Sequence, residues 1–257
     1  MTKSDWDTSA SAWLAHLGHA GDRGRTNVLD APMLAAVRKT TAKTAIDVGC
    51  GEGRFCRMME AEGIQTTGVD PTQALLDVAQ QKQPAGTYVN ARAESLPFKE
   101  STFDLCVSYV TLIDIPDHLA AISEMARVTR PGGYILVANL QSNATARHRE
   151  ARETDGGWIY DAGTPRFYAV DDVLDERSFW SQWCGIHIKQ YHRPLSSYMQ
   201  AFLDVGLELV SFSEPPFVGG DPHLRERYNR MPWFVMMAWR KPVSSISSFE
   251  QHNPKQD

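Results

Sequence analysis

Short apolar runs alternate along the chain with segments whose apolar residues recur at helical spacing. The runs predict strands at 44–48, 65–69, 86–90, 103–109 and 133–140, with helices between them, such as 72–81 and 117–128. A helix at 195–205, a strand at 207–212 and a last strand at 232–239 complete the pattern. Because crossovers between parallel strands are right-handed, this alternation predicts an α/β fold with a doubly wound, mostly parallel seven-stranded sheet.

Two segments depart from this rhythm. Residues 8–39 have a helical pattern with a break at 18–25, and residues 142–192 form an insertion rich in aromatic residues. Its aromatic residues are Trp158, Tyr160, Phe167, Tyr168, Phe179, Trp180, Trp183 and Tyr191. Such a concentration of rings predicts burial against a neighbour, either as a lid that gives a ligand an apolar wall or as a small cap on the sheet edge. We favour the lid.

The predicted organisation is one domain over residues 1–242, with a core at 40–141 and the aromatic-rich cap insertion at 142–192. A turn is predicted at Pro131-Gly132-Gly133, where it would end the preceding helix and start the fifth strand. The polar, Ser-rich tail at 243–257 is predicted to be disordered.

Composition excludes several classes of function. No apolar run has the length of a membrane span, and the segment Met1–Asp7 has no apolar signal region, so we expect a cytoplasmic protein. The net charge of −5 and the scattered basic residues argue against a nucleic-acid partner.

The cysteines lack C-x-x-C spacing, which predicts buried reduced thiols, and nothing resembles a metal cluster. They are Cys50, Cys56, Cys106 and Cys184.

A glycine-rich segment, Asp47–Phe55, joins the first strand to a helical segment and predicts a ligand site. Glycines there let the backbone approach a ligand closely, and the helix that follows presents free N–H groups. The spacing is G-x-G-x-G, with Arg54 where a dinucleotide fingerprint has its last glycine. Asp47 would repel a pyrophosphate but suits a cationic ligand such as S-adenosylmethionine.

A second acid closes the second predicted strand. Asp70 follows Gly53 by 17 positions (70 − 53) and is placed to accept hydrogen bonds from both hydroxyls of a ribose. Asp70-Pro71 also suits the start of the helix at 72–81, as an N-cap. The two roles are compatible.

Five motifs occur in order, and together they resemble class I S-adenosylmethionine-dependent methyltransferases of the kind related to ubiquinone/menaquinone-biosynthesis enzymes. The resemblance covers roughly residues 40–141, and the segment Tyr191–Tyr198 is similar to small-molecule members of the group. The motifs are Asp-Val-Gly-Cys-Gly-Glu-Gly-Arg-Phe (47–55), Gly-Val-Asp-Pro (68–71), Ala-Glu-Ser-Leu-Pro-Phe (93–98), Ser-Thr-Phe-Asp-Leu-Cys-Val-Ser (101–108) and Arg-Val-Thr-Arg-Pro-Gly-Gly-Tyr-Ile-Leu-Val (127–137).

The resemblance implies a Rossmann-like methyltransferase fold, S-adenosylmethionine as cofactor, and a set of cofactor-binding residues. Those expected at the methionine half are Asp47, Gly49 and Gly51, with Cys50 and Gly53 in the same turn. Those expected near the adenosine are Asp70 at the ribose, and Pro71, Ala93 and Glu94 at the adenine. Ser108 and Tyr109 are expected beneath the sulfonium. Many relatives have Asp where this chain has Arg92, so Glu94 or a backbone carbonyl would replace that contact.

The N-terminal segment is expected to close the site, with Arg25 reaching the cofactor carboxylate. His192 is the first candidate for a general base, because imidazole titrates near neutrality. Its alternative role is a packing or capping residue before Pro194. Tyr160 is a weaker candidate, as are Tyr168 and Tyr109.

The leading function is methyl transfer to an oxygen, nitrogen or carbon of a small, mostly apolar acceptor. The alternatives are a nicotinamide-dependent oxidoreductase, which Arg54 and Asp47 disfavour, and a non-catalytic S-adenosylmethionine-binding protein.

Overall fold

A seven-stranded sheet forms the centre of the protein in a computed structural model that describes residues 5–18, 21–146 and 157–243. With strands numbered along the chain, the sheet order is β10-β11-β5-β4-β1-β2-β3. Neighbouring strands from β5 to β3 are parallel, whereas β11 is antiparallel to both β5 and β10. The predicted mostly parallel sheet is therefore confirmed. The strands are β1 Thr44–Val48, β2 Gln65–Asp70, β3 Thr87–Asn90, β4 Phe103–Tyr109, β5 Thr129–Leu140, β10 Glu208–Ser213 and β11 Phe234–Arg240.

Helices cover both faces of this sheet. They are α1 Asp5–Leu17, α2 Asp30–Thr40, α3 Arg54–Ala61, α4 Gln73–Lys82, α5 His118–Val128, α6 Ser142–Thr145, α7 Leu195–Asp204 and α8 Pro222–Arg230. A π-helical turn, Arg25–Leu29, leads into α2, and a 3₁₀ turn, Leu112–Asp114, follows β4. No helix among these described residues has the length and apolarity to cross a membrane.

The strands are apolar almost throughout because each contributes side chains to two cores. Ile46 of β1 packs in a cluster with α5 and α7, whereas its neighbour Ala45 packs in a cluster with α2 and α3. Such continuous apolar strands are typical of parallel sheets covered on both faces. The carboxyl ends of β1, β2 and β4 form the edge of the sheet that carries the cavity described below.

The predicted turn at Pro131-Gly132-Gly133 is wrong. Helix α5 ends at Val128, and the Thr129 hydroxyl donates to the Met125 carbonyl over 2.7 Å. Strand β5 begins at once, pairing Thr129 with Phe103, and resumes at Tyr134 opposite Leu105. The Pro-Gly-Gly segment is thus a bulge within β5, which accommodates Gly132 at φ +80°.

The insertion at 142–192 contains two hairpins that the sequence pattern did not predict as such. They are β6 Trp158–Asp161 with β7 Thr164–Tyr168, and β8 Arg177–Trp183 with β9 Ile186–His192. The expectation that its rings are all buried is wrong, since Phe167 and Trp180 are more than half exposed. The segment 147–156 and the tail predicted to be disordered, from 244 onwards, lie outside the described residues.

Cysteine burial is as predicted at three positions and wrong at the fourth. Cys50, Cys56 and Cys106 are buried free thiols, whereas Cys184 is exposed. Cys184 and Gly185 form the two-residue turn between β8 and β9, with φ of 46° and 80°. This geometry is typical of tight hairpin turns, which project into solvent.

We expect Phe202→Ala to lower the free energy of unfolding by about 3–5 kcal/mol, as for other buried aromatic residues. Phe202 is fully buried and stacks on Trp239 with ring centroids 4.9 Å apart. Leu203→Ala is the control: it changes the next residue of α7, whose side chain is 49% exposed, and should change stability by less than about 1 kcal/mol. Urea unfolding followed by circular dichroism measures both, and equal losses would contradict the packing described.

Candidate functional site

A cavity of about 300 Å³ opens at the carboxyl ends of β1, β2 and β4. Ligands of open α/β sheets bind at this edge. Helix α1 and strand β9 close the opposite side, held together where the Ser9 hydroxyl donates to the His187 carbonyl and accepts from the His187 amide, both at 3.0 Å. The cavity is therefore enclosed by segments that lie at opposite ends of the sequence.

The glycine turn between β1 and α3 forms one wall. The amides of Gly49 and Cys50 both donate to the Val69 carbonyl at 2.7 and 3.0 Å, which ties the turn to the end of β2. A Cβ on Gly49 would lie 2.1 Å from Cγ2 of Thr111, so no larger residue fits. A Cβ on Gly51 (φ +55°) would enter open space, so its backbone stays accessible to a ligand.

Asp70 connects this turn to the loop before α4. Its carboxylate accepts from the Gly51 amide at 2.9 Å and from the Thr72 amide at 2.8 Å. The predicted N-cap role is wrong, because the N-cap of α4 is Thr72. Burial raises the pKa of Asp70, and its hydrogen bonds to these amides oppose the shift. The Thr72 side chain also hydrogen-bonds this carboxylate, and the lone pair that remains can accept from a ligand hydroxyl.

Asp47 lies at the floor of the cavity and is the least satisfied of the acids there. Its Oδ2 accepts from the Cys56 thiol at 3.6 Å, whereas Oδ1 is buried with no hydrogen-bond partner among the described residues. Burial raises the pKa of Asp47 to about 7. A buried acceptor without a partner is costly, and a cationic donor in the cavity would satisfy it.

The basic residues of the cavity occupy defined positions. Arg54 forms a bidentate ion pair with Asp30, which also accepts from the Tyr109 hydroxyl at 2.7 Å. Arg25 lies between two aromatic rings, with its guanidinium carbon 5.0 Å from the centroid of Trp13 and 5.6 Å from that of Tyr109. Arg25 lines the cavity, as expected if the N-terminal segment closes the site.

The loop after β3 supplies the remaining part of the predicted adenine side. Ala93 is buried and Glu94 is half-buried, and both line the cavity with Pro71. Arg92, which stands where many relatives have Asp, donates to Glu94 at 2.8 Å. Glu94 is the acid expected to make the adenine contact in place of that Asp.

Two predicted cofactor residues do not line this cavity. Ser108 is fully buried within β4, one position before Tyr109, which does line it. Gly53 (φ +74°) lies behind the turn, where a Cβ would approach the Tyr88 hydroxyl to 2.7 Å. The positive φ of Gly53 and the lack of space for a Cβ therefore require a glycine at this position.

The structure does not bring the predicted bases His192 and Tyr160 to the cavity. His192 has no exposed surface, its Nδ1 lies 2.6 Å from the Thr145 hydroxyl, and its Nε2 lies 2.9 Å from the Val173 carbonyl. It therefore packs α6 against the end of β9. Tyr160 is 38% exposed on β6.

The other tyrosines proposed as bases are equally unsuited. Tyr168 packs edge-to-face between Trp158 and Trp233, away from the cavity. Tyr109 does line the cavity, but its hydroxyl donates to Asp30, and burial raises its pKa far above the ordinary value.

Sequence reasoning missed an acid at the far end of the cavity. Asp114, in the 3₁₀ turn after β4, accepts from the indole N–H of Trp6 at 3.2 Å and from the amide of Gln190 at 3.0 Å. Burial raises the pKa of Asp114 to about 7. The sequence feature that could have identified Asp114 is its place between apolar residues, directly after a buried strand, in Leu112-Ile113-Asp114-Ile115-Pro116.

Of the predicted lid, only strand β9 reaches the cavity among the described residues. Of the eight rings in the insertion, only Tyr191 lines the cavity among the described residues, and the apolar wall comes instead from Trp6 and Trp13 of α1. Trp158 packs instead against Ala144 and Met231, and Trp180 stacks on His187 at the surface.

Comparison with known proteins agrees with this geometry. A family model described as a methyltransferase domain matches residues 46–137. The chain is 37% identical over 112 residues to a malonyl-[acyl-carrier protein] O-methyltransferase of Serratia marcescens, a match covering 43% of this chain and 44% of that relative. A second relative of that name, from Pseudescherichia vulneris, is 29% identical over 59% of each chain. The chain thus spans about half the length of the curated relatives it matches.

Solved structures share the fold. An S-adenosylmethionine-dependent methyltransferase from Mesorhizobium loti superposes with a TM-score of 0.69 at 22% identity, over 80% of this chain and 96% of that one. The 1,6-didemethyltoxoflavin-N1-methyltransferase of Burkholderia thailandensis, solved with S-adenosylhomocysteine, superposes with a TM-score of 0.57 at 14% identity, over 91% of this chain and 88% of that one.

We expect Asp47→Asn to stabilise the ligand-free protein at pH 8. Because burial raises the pKa of Asp47 from 3.8 to about 7, the stability that this group contributes is complete below pH 4 and is lost as the pH rises through 7. Each unit of pKa difference corresponds to about 1.4 kcal/mol, so we expect a gain of roughly 1–3 kcal/mol at pH 8.

Thermal unfolding at pH 5 and pH 8 measures this effect, and the gain should be smaller at pH 5. Asp77→Asn, at an exposed position of α4, is the matched control. If Asp47→Asn unfolds at a lower temperature than the wild type at pH 8, burial of the Asp47 charge does not destabilise the ligand-free protein as described.

Proposed function

We propose that the chain is a class I S-adenosylmethionine-dependent methyltransferase, as its match to a methyltransferase domain supports, and that it transfers a methyl group to an oxygen, nitrogen or carbon of a small, mostly apolar acceptor. The observation that carries the proposal is the Asp47 oxygen without a partner at the floor of the cavity. A cationic ligand satisfies that oxygen, whereas a pyrophosphate would face the negative charges of Asp47 and Asp70.

We assign cofactor-binding roles to the residues that line the cavity. Asp47 accepts from the amino group of the cofactor, beside the exposed backbone of Gly51. Asp70 accepts from the ribose with the acceptor capacity that Gly51 and Thr72 leave available. Arg25 pairs with the cofactor carboxylate, and the side chains of Pro71 and Ala93 pack against the adenine.

When bound, S-adenosylmethionine supplies a methyl group already activated by its sulfonium. The chain then has to align the acceptor with that methyl group and exclude water, effects worth about 7–11 kcal/mol in well-oriented systems. The packing of α1 against β9 supports this role, because it covers the cavity on the side away from the sheet.

The acceptor occupies the end of the cavity formed by α1, β9 and the 3₁₀ turn. Trp6, Trp13 and Tyr191 give this end apolar surfaces, which suit a planar or hydrocarbon acceptor. Relatives are named O-methyltransferases of malonyl-[acyl-carrier protein], so oxygen acceptors belong in any screen of activity.

We expect the protein to bind S-adenosylhomocysteine, and Asp70→Asn to weaken that binding by about 10–100-fold. An amide replaces a carboxylate that bonds to hydroxyls, and hydrogen bonds to a charged group are worth about 1.5–3 kcal/mol. Isothermal titration calorimetry gives both affinities, with Asp77→Asn as the control that should bind like the wild type.

The same titration tests the competing functions. Binding of NAD in place of S-adenosylhomocysteine would favour an oxidoreductase and overturn the proposal. Transfer of labelled methyl from S-adenosylmethionine to defined hydroxyl, amine and carbon acceptors then separates an enzyme from a protein that only binds the cofactor.

A further inference from the structure

We propose that Asp114 is the general base of the reaction and that the acceptor is a phenolic hydroxyl, whose proton passes to the Asp114 carboxylate. The inference rests on the proposed function and identifies the acceptor class for the same cavity. Its basis is the way three distant segments orient this carboxyl group toward the acceptor end.

Both neighbours of the carboxyl group act as donors. The indole N–H of Trp6 can only donate. The Gln190 side chain is oriented by Ser181, whose hydroxyl donates to its Oε1 at 2.6 Å, so its Nε2 is directed at Asp114. Two donors favour the carboxylate form, which is the form that takes up a proton. Asp114 lines the cavity, and each of its oxygens has one partner among the described residues, which leaves acceptor capacity for a ligand hydroxyl.

The turn that carries Asp114 is braced from below by Arg193. This buried guanidinium donates to the carbonyls of Leu112, Ile115 and Pro116 at 3.1, 2.8 and 2.8 Å. Arg193 also lies over the ring of Tyr191, 4.8 Å from its centroid. The segment Tyr191–Tyr198 thus contributes a positioning residue and one wall of the acceptor end.

Opposing charges around Asp114 keep its pKa near neutrality. Burial raises it, the two hydrogen bonds lower it, the positive charge of Arg25 lowers it further, and the negative charge of Asp70 raises it. Other titratable or charged groups on the elements packed here are Asp5 and Asp7 on α1, Lys189, Tyr191 and His192 on β9, and Arg193 and Tyr198 beyond it. A base with a pKa near the working pH is the most effective.

The surroundings favour a phenol over other acceptors. Trp6, Trp13 and Tyr191 offer aromatic surfaces to a ring, and the positively charged Lys189 lines the same cavity, where it favours negative charge on a phenol oxygen. A carboxylate acceptor would be repelled by ionised Asp114 and needs no base.

The proposed step conserves atoms and charge. The phenol oxygen forms a bond to the methyl carbon while the bond from that carbon to sulfur breaks and its electron pair remains on sulfur. The hydroxyl proton moves to a carboxylate oxygen of Asp114, from which solvent removes it after the products leave.

The test compares Asp114→Asn with the wild type on two phenols at pH 8. With 4-methylphenol, which is neutral at this pH, the variant should lose about 10²–10⁴-fold in kcat, the usual contribution of a general base. With 4-nitrophenol, which is largely ionised at this pH, the loss should be below about tenfold, because no proton has to be removed. The wild-type kcat on 4-methylphenol should rise with pH through about 7, and the variant should lose that rise.

Asp117→Asn is the matched control. It makes the same substitution three positions away at the N-cap of α5, where Asn caps as well as Asp, and should behave like the wild type. A second readout needs no turnover: two ¹³C carboxyl signals, those of Asp47 and Asp114, should titrate near pH 7 in the ligand-free wild type. Asp114→Asn should lose one of them and keep the signal that Asp47→Asn loses. Asp114→Ser, which keeps a smaller hydrogen-bond acceptor but no carboxylate, replaces the Asn variant if circular dichroism shows it unfolded.

Several outcomes would overturn the inference. Equal losses on both phenols would indicate a structural role, and a weaker affinity for S-adenosylhomocysteine in Asp114→Asn would indicate a cofactor ligand. Methylation of an amine or fatty carboxylate but of neither phenol, or of no probe at all, would refute the acceptor class. A wild-type protein that does not bind S-adenosylhomocysteine would refute the proposed function itself.

Discussion

A buried carboxylate with one oxygen left without a protein partner is the constraint on which the site depends. Asp47 belongs to β1 and cannot move without disturbing the centre of the sheet, where it pairs with both β2 and β4. Its burial is unfavourable for the ligand-free protein. The fold tolerates that cost because the same position satisfies a cationic ligand, a trade of stability for binding that is common at functional sites.

The glycine turn transmits this constraint to the rest of the cavity. The Val69 carbonyl holds the turn from β2, Asp70 holds the Gly51 amide, and Thr111 fills the space that a Cβ on Gly49 would need. Three strand ends are therefore locked together through one short loop. A ligand placed against Gly51 is necessarily within reach of the ends of β1 and β2, which explains why the acids come from adjacent strands.

The sequence predicts the parts of the site that neighbour each other in the chain or in the sheet. The parallel order of the strands brings Asp47, Asp70 and Tyr109 to one edge, and the glycine spacing identifies the turn. Asp114 escapes prediction because its partners Trp6 and Gln190 lie 108 and 76 positions away, on elements whose packing no local pattern encodes. The chemistry of imidazole alone predicts His192 as a base, whereas its ring is enclosed between Thr145 and Val173.

The distribution of charge explains why this edge of the sheet differs from a dinucleotide site with the same topology. Arg54 occupies the position of the third glycine, but it is paired with Asp30, which also accepts from the Tyr109 hydroxyl. Arg92 is similarly paired with Glu94. Among the described basic residues of the cavity, Arg25 is instead held between two rings, at distances that still leave its donors available to a carboxylate. The placement of Arg25 opposite several acids matches a ligand with separate positive and negative ends better than it matches two adjacent phosphates.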